Sequence, residues 1–554
     1  MARSNGLDVI ERQVMWNRLI SVVEEQAQTL LRTAFAPIVR ECGDLSAGVF
    51  DLKGRMLAQA VTGTPGHVNS MAESVQHFIR HFPIAEMNEG DIYITNDPWM
   101  GTGHLNDFVL TTPTFRNGRL VGMFSCTSHL TDIGGLGTGP DATDVHMEGI
   151  YIPMLKLADR GRIDRTLMAM IRRNTREPIE CEGDVYSLAA CNEVGCVRLV
   201  EMMDEFGLED LGELADYIVT SSRRAVLDEV AALPKGRYHN VMTVDGYDRP
   251  IDLVATLEIA DDGVRVDYDG TSAMSRYGVN VPMAYTKAYT CFGLGCAIVP
   301  GVPNNAGSLS AFRVTAPERS ILNAPYPAAV CARHLIGQLL PDVVFGCLEQ
   351  VVPERVPAEG ASALWNLTFR GETDRGANER TMFAFTAVTN GGTGARGVKD
   401  GLNGTAYPSG VKGTPVEIVE TMTPVLFHRK ELRTDSAGAG TWRGGAGQII
   451  EVETANKTDM DLLAAYERID HPARGRAGGG TGEPGAVYLA SGTRLKGKGT
   501  QVIPAGERLV VHTPGGGGHG PASARPPEAV AADVADGIVS EAAAGADYAW
   551  QPHS

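Results

Sequence analysis

Between residues 11 and 35, apolar side chains return every three or four positions, at Met15, Leu19, Val22, Val23, Ala27, Leu30 and Leu31. That spacing predicts an amphipathic helix, and Pro37 ends it. The period then changes. Residues 41–59, ECGDLSAGVFDLKGRMLAQ, read as two strands about a Lys53-Gly54 turn. Residues 69–82 return to helical spacing, with Met71, Val75, Phe78 and Phe82 inward, and DIYITND (91–97) reads as a strand. After Pro153 the pattern predicts helix through 155–174 and again through 193–233, closed by Leu233, Pro234, Lys235 and Gly236. From Tyr238 the chain is strand-like, punctuated by Asp-Gly turns at 245–246, 262–263 and 269–270. Helices are expected at 285–299 and 328–351. Short strands and glycine-rich turns fill the last third, and an alanine-rich helix starts near Pro521. No repeat of fixed period is visible. The expected fold is α+β: mixed, largely antiparallel sheets with flanking helices and a glycine-rich β C-terminal part. Its expected parts are an N-terminal α/β region (1–237), a central α+β region (238–400) and a glycine-rich β region with a tail (401–554).

The segment from Asn96 to Gly135 carries the densest candidate chemistry. It holds two His-x-x-Asp pairs, His104/Asp107 and His129/Asp132, each close to glycine. Imidazole and carboxylate are the usual ligands of zinc, manganese and ferrous iron. Between the pairs lie two strand-like runs joined at Asn117-Gly118, a strong signal for a type I′ hairpin. With those two residues as the whole loop, Arg116 faces Arg119, Asp107 faces Ser128 and His129 faces Asn106, so the ends of the hairpin meet. Strict alternation then sets Asp107 and His129 on opposite faces of the sheet. One bulge restores the parity, and Pro113 marks an expected place for an irregularity. One such pair reads best as polar strand ends. Two pairs brought together by one hairpin read better as a single divalent transition-metal site, the first region thus being the metal-site region.

Composition narrows the function classes. The chain has 554 residues, 43% hydrophobic and 21% charged, and a formal net charge of −18. Such an acidic balance argues against nucleic-acid or anionic-membrane partners. No apolar run approaches the roughly 20 residues of a membrane span, and the N-terminus has no apolar signal core. A cytoplasmic location is expected. The nine cysteines are read as thiols. Cys191/Cys196 and Cys291/Cys296 lack zinc-knuckle spacing and are expected to be buried small hydrophobes, as is Cys126 on the second hairpin strand. Four glycine clusters stand at 389–397, 443–448, 476–482 and 513–520. None has the G-x-x-x-x-G-K-[ST] phosphate loop or clearly opens a helix. They are read as tight turns or as close approach of backbone to a ligand, and an ATP site in this chain is not expected.

ECGDLSAGVFD, TPGHVNSM, NDPWMGTGHLND, SHLTDIGG, MEGIYIP, PNNAGS, NGGTGAR and TPGGGGHG occur in this order along nearly the whole chain. In these motifs the chain resembles the hydantoinase B/5-oxoprolinase family, the B-type subunits of ATP-dependent hydantoinases, oxoprolinases and lactamases; acetone and acetophenone carboxylases contain a related subunit. GTPGHVNSM departs from the family's more usual proline-rich form. The resemblance implies one divalent transition metal (zinc, or manganese or iron) held by Asp44, His104, Asp107 and His129, with Glu41 as the alternative to Asp44. It leaves His67 and Asp132 as second-sphere or substrate-side groups with catalytic roles. It further implies an A-type partner in a hetero-oligomer, which binds ATP and phosphorylates the substrate oxygen before this chain completes the reaction. Opening of a cyclic imide or lactam is the expected reaction. The alternatives are ATP-dependent carboxylation of a ketone, and a structural role in which the metal only stabilises the fold.

Overall fold

The computed structural model describes residues 9–61, 63–374 and 380–551. A seven-stranded antiparallel sheet forms the frame of the N-terminal half. Its strands are β1 (Leu45–Phe50), β2 (Met56–Gln59), β3 (Ile92–Thr95), β4 (Asp107–Arg116), β5 (Arg119–His129), β6 (Leu155–Asp159) and β7 (Arg162–Ile163), in the spatial order β2-β1-β5-β4-β3-β6-β7. The helix Val9–Thr33 buries Met15, Leu19, Val22, Val23, Ala27 and Leu30 in the same core as the sheet residues Ala47, Leu110, Phe124 and Cys126. Gln26, also on that face, spends its amide on Asn192 and on the Ser125 carbonyl, so its burial leaves the donor paired. The helix Pro178–Phe206 packs into the same core, starts on proline and ends at Gly207 in the left-handed region.

The β4–β5 hairpin turns as its sequence predicts, with Asn117 and Gly118 both at positive φ and Arg116 opposite Arg119. The register shifts where Phe115 pairs with Leu120 but Thr114 pairs with Gly122, which leaves Val121 as the extra residue. The irregularity therefore lies on the second strand, and Pro113 stays in the ladder opposite Met123. Beyond it Asp107 faces His129 directly.

Three sequence expectations are corrected. Residues 155–163 are the hairpin β6–β7, turning at Arg160 and Gly161, both at positive φ; helix begins only at Arg165, where the Asp164 side chain caps Thr166 and Leu167. The expected helix at 328–351 is two pieces, His334–Gly337 and Leu340–Leu348, preceded by an irregular turn through Arg333. Residues 328–333 are instead consumed in loop contacts that bear on the site. Cys296, on the helix Met283–Ile298, is exposed rather than buried.

The second sheet contains β8 (Gly236–Val244), β9 (Ile251–Ala260), β10 (Gly263–Asp267) and β11 (Phe312–Thr315), with only the β10–β11 pair parallel. It shares a core with the helices Met283–Ile298 and Leu340–Leu348. The remaining strands are β12 (Leu367–Asp374), β13 (Arg380–Ala387), β14 (Val425–Leu432), β15 (Gln448–Thr454), β16 (Met460–Ala465), β17 (Ala486–Leu489), β18 (Lys498–Ile503) and β19 (Leu509–His512). They form two four-stranded antiparallel sheets, β13-β12-β16-β18 and β14-β15-β19-β17, over a core centred on Trp365 and Tyr466.

The four glycine clusters come together beside these sheets. Gly445 donates to the Thr393 carbonyl, Gly516 to Gly445, Gly438 to Gly516 and Gly518 to Gly480. A Cβ on Gly516 would lie 1.9 Å from the Thr393 oxygen, and one on Gly515 would lie 1.7 Å from the Ser436 oxygen. The close approach is thus of backbone to backbone, with no room for side chains. Among the described residues no helix is long and apolar enough to cross a membrane.

Candidate metal centre

His104 reaches the site from the loop between β3 and β4. Asn96 shapes that loop: its amide donates to the Leu105 and Ile150 carbonyls and its oxygen accepts from Ile152. Asp97 closes a turn by accepting from Trp99 and Met100. Asp107 begins β4 and His129 ends β5, and the bulge at Val121 puts both on one face. His104 Nε2 lies 2.7 Å from Asp107 Oδ1, and His129 Nδ1 lies 3.2 Å from the same oxygen. One ligand atom from each of these three residues falls within 4.8 Å of the others. The Nδ1–H of His104 donates to the Cys331 carbonyl at 2.9 Å, which fixes the tautomer that leaves the Nε2 lone pair free.

Asp44 and His67 line the same cavity. His67 stands on the first turn of the helix Pro65–His81, with Nε2 2.9 Å from Asp107 Oδ2 and Nδ1 3.5 Å from Asp44 Oδ1. Thr64 donates to Asp44 Oδ1. Glu41 lies outside the cavity, paired with Arg40 at 2.8 Å. Asp132 is also outside: its carboxylate accepts from Thr175 Oγ1 at 3.0 Å, from the Arg176 backbone and from Arg176 Nη1 at 2.6 Å. It ties the end of β5 to the start of the helix Pro178–Phe206. The structure therefore brings Asp44, His67, His104, Asp107 and His129 together and leaves Glu41 and Asp132 apart.

Four further residues support the site, and of these only Arg333 lies outside the ordered motifs. Arg333 Nη2 pairs with Asp107 Oδ2 at 2.5 Å and its Nε donates to the Thr102 carbonyl; the guanidinium lies 4.0 Å over the Tyr285 ring. Thr102 Oγ1 donates to the same carboxylate oxygen at 2.8 Å. Gly103, at φ +97, leaves room for this arginine, since a Cβ there would lie 2.7 Å from Arg333 Cδ. Glu148, in MEGIYIP, accepts from the Val330 and Cys331 amides and so holds the turn that presents both the Cys331 carbonyl and Arg333. The signal for Arg333 and His334 was available in the sequence: they interrupt the long apolar run from 328 to 348, where a charge must find a buried partner.

Electrostatics follow from burial. Asp107 is fully enclosed; burial alone would raise its pKa, but His67 and Arg333 beside it hold the carboxyl well below the usual range. Burial and the Arg333 charge push His104 down to about 3, so it is neutral and can serve as a ligand. For His67 burial acts downward, yet Asp107 and Asp44 outweigh it and raise the pKa. His104, Asp107 and His129 offer two imidazoles and one carboxylate, ligand types that suit zinc, manganese or ferrous iron, and Asp44 and His67, whose Nδ1 is buried and unsatisfied, line the cavity beside them. The cavity measures about 30 Å³.

The family model for hydantoinase B/oxoprolinase matches residues 8–522. The chain belongs to the hydantoinase B/oxoprolinase family. It is 26% identical to a putative D-/L-hydantoinase B-type subunit of Pseudomonas sp. (strain NS671), over 98% of this chain and 95% of that one. The crystal structure of the ATP-dependent caprolactamase from Pseudomonas jessenii superposes with a TM-score of 0.88 at 28% identity, covering 98% of this chain and 96% of that chain. A nucleotide-free acetone carboxylase structure shares the fold, with a TM-score of 0.83 at 20% identity over 97% of this chain and 79% of that chain. Membership of the hydantoinase B/oxoprolinase family places this chain among proteins named as hydantoinase, oxoprolinase and caprolactamase enzymes or their subunits.

Proposed function

We propose that this chain is the metal-bearing B-type component of an ATP-dependent amidohydrolase that opens a cyclic imide or lactam. An A-type partner phosphorylates the substrate oxygen, and this chain completes the ring opening. The observation that carries the reading is the convergence of His104, Asp107 and His129 from two ends of one hairpin on a buried cavity shared with Asp44. The names of relatives that match nearly the whole chain support the substrate class.

Asp44, His104, Asp107 and His129 would hold the metal. Bound there, it supplies Lewis acidity to the reacting carbon–oxygen group and to water. The chain's own residues set the conditions. Arg333 and Thr102 hold Asp107 Oδ2, which directs Oδ1 at the two imidazoles. The Cys331 carbonyl orients His104. His67, buried between Asp44 and Asp107, is placed to hold or pass a proton at Nδ1 or Nε2. A space of about 30 Å³ admits roughly two water-sized groups, so it receives the reacting edge of a substrate and excludes bulk water.

The test is reconstitution. The purified chain is expected to carry about one transition metal, and His104→Ala and His129→Ala are expected to lose it while remaining folded. Combined with its A-type partner, the wild type is expected to consume ATP on a cyclic imide or lactam and release the opened acid without bicarbonate. A strict requirement for bicarbonate and a ketone would replace this reading with carboxylation. Undiminished product from metal-free complex would leave the metal a structural role only.

A further inference from the structure

Within the cavity the ligand set and Arg333 pair with one another, and Gln338 Oε1 accepts from the Leu364 amide. Besides His67 Nδ1, which faces Asp44 at 3.5 Å, two lining residues keep a buried polar atom with no partner: His334 at Nε2 and Asn366 at Oδ1. Buried polar atoms are rarely left unpaired, and two beside a reaction site call for a ligand that satisfies both. They come from distant segments. His334 opens the short helix after Arg333, and Asn366 immediately precedes β12. The bond from Leu364 to Gln338 fixes one segment against the other.

We propose that His334 and Asn366 form a polar wall that reads the N–H and C–O edge of a cyclic amide, Asn366 Oδ1 accepting from the ring nitrogen and His334 Nε2 donating to the neighbouring oxygen. The inference rests on the amidohydrolase reading and names the feature by which that site selects its substrate. A small-ring lactam is locked cis, so its donor and acceptor lie side by side on one edge. The lactam and its O-phosphorylated, N-protonated form present the same edge. A ketone of equal ring size has the oxygen but no N–H, and would leave Asn366 Oδ1 unpaired, the kind of mismatch by which hydrogen-bonding sites reject analogues. His334 is suited to donate as a neutral imidazole, with one protonated ring nitrogen. Burial, reinforced by Arg333, keeps it in that form at neutral pH.

Binding to the full-length, metal-loaded chain tests this without turnover. The probes are 2-pyrrolidinone, 2-piperidone and ε-caprolactam, each beside its N-methyl derivative and the cyclic ketone of the same ring size, read by saturation-transfer NMR and calorimetric competition. At the ring size that binds best, the N–H lactam is expected to bind about tenfold tighter than either counterpart, the worth of one neutral hydrogen bond in a buried site. Asn366→Leu is expected to abolish that preference while ketone binding and metal content stay unchanged. His334→Phe is expected to weaken lactam and ketone alike by about tenfold, and His334→Gln to restore part of the loss. Equal binding of the three wild-type probes overturns the inference even if neither variant folds. So does a preference that survives Asn366→Leu, or an absence of lactam binding. If binding shows no preference but the reconstituted complex still opens lactams, the inference falls and the amidohydrolase reading stands.

Discussion

At the scale of single residues, Glu148 shows how much of the centre depends on a group that touches no ligand. It accepts the Val330 and Cys331 amides, and burial pushes its carboxyl up to about 8. Its folded pKa thus exceeds the unfolded one. Between about 4.5 and 8 the folded state holds a proton that the unfolded state has lost, so stability falls as pH rises through that window. Glu180, raised to about 7, and Asp184, raised to about 6, act in the same direction, burial being the first cause in both. Glu148→Gln keeps the acceptor and removes the ionisation. Urea unfolding at pH 5.5 and pH 8.5 is expected to show a smaller loss of stability for the variant than for the wild type. The difference should be a few kcal/mol, the scale of a shift of several pKa units. Parallel pH dependence in the two proteins would show that Glu148 ionises freely in the folded state.

At the scale of the element, the hairpin decides whether there is a site at all. With an even ladder Asp107 and His129 would lie on opposite faces. The extra residue Val121 brings them opposite one another on the same face. Deleting Val121 restores an even ladder. The chain near the turn is expected to keep its pairing, while His129 rotates away from Asp107 or β5 slips against β1, which pairs along its length. Metal content measured by elemental analysis is expected to fall to near zero, with far-UV circular dichroism largely retained. Full metal occupancy in the deletion variant would mean that His129 is not needed at the centre. The β6–β7 turn and the turn at 328–333 teach a related lesson. Both had helix-like polarity patterns, but positive φ at Arg160 and Gly161 in one, and the buried partners of Arg333 in the other, outweighed local helical preference.

At the scale of the whole molecule, the glycine clusters replace a hydrophobic core with a bundle of bare backbone. Their amides and carbonyls are engaged with one another, which is a physical reason for expecting no phosphate cradle in them. Gly516→Ala would set a methyl 1.9 Å from a carbonyl oxygen that cannot retreat, whereas Gly301→Ala meets nothing within 4 Å. The first is expected to cost upward of about 3 kcal/mol and to give little soluble protein, as severe overpacking does. The second is expected to shift the thermal midpoint by no more than a degree or two, a surface change of about 0.5 kcal/mol or less. Comparable melting of the two variants would show that the bundle yields easily.

Local information in the chain determined the first helix, the strands about Asn117-Gly118, the meeting of the hairpin ends and the residue types of the donor set, because hydrophobic period and turn chemistry act over a few residues. The ordered motifs carried the family. Parity at His129 was beyond that reach, since no local preference names the residue that a bulge will exclude. So was the separation of Asp132 from the cavity: its spacing copies that of Asp107, but Arg176 lies close enough to claim it. The contributions of Arg333, His334 and Asn366 come from more than 200 residues beyond His104 and were decided only by how the central region packs on the N-terminal sheet. The glycines, too, read alike as turns until four distant clusters met. A contact between remote segments depends on the complementarity of two surfaces, and neither segment carries that alone.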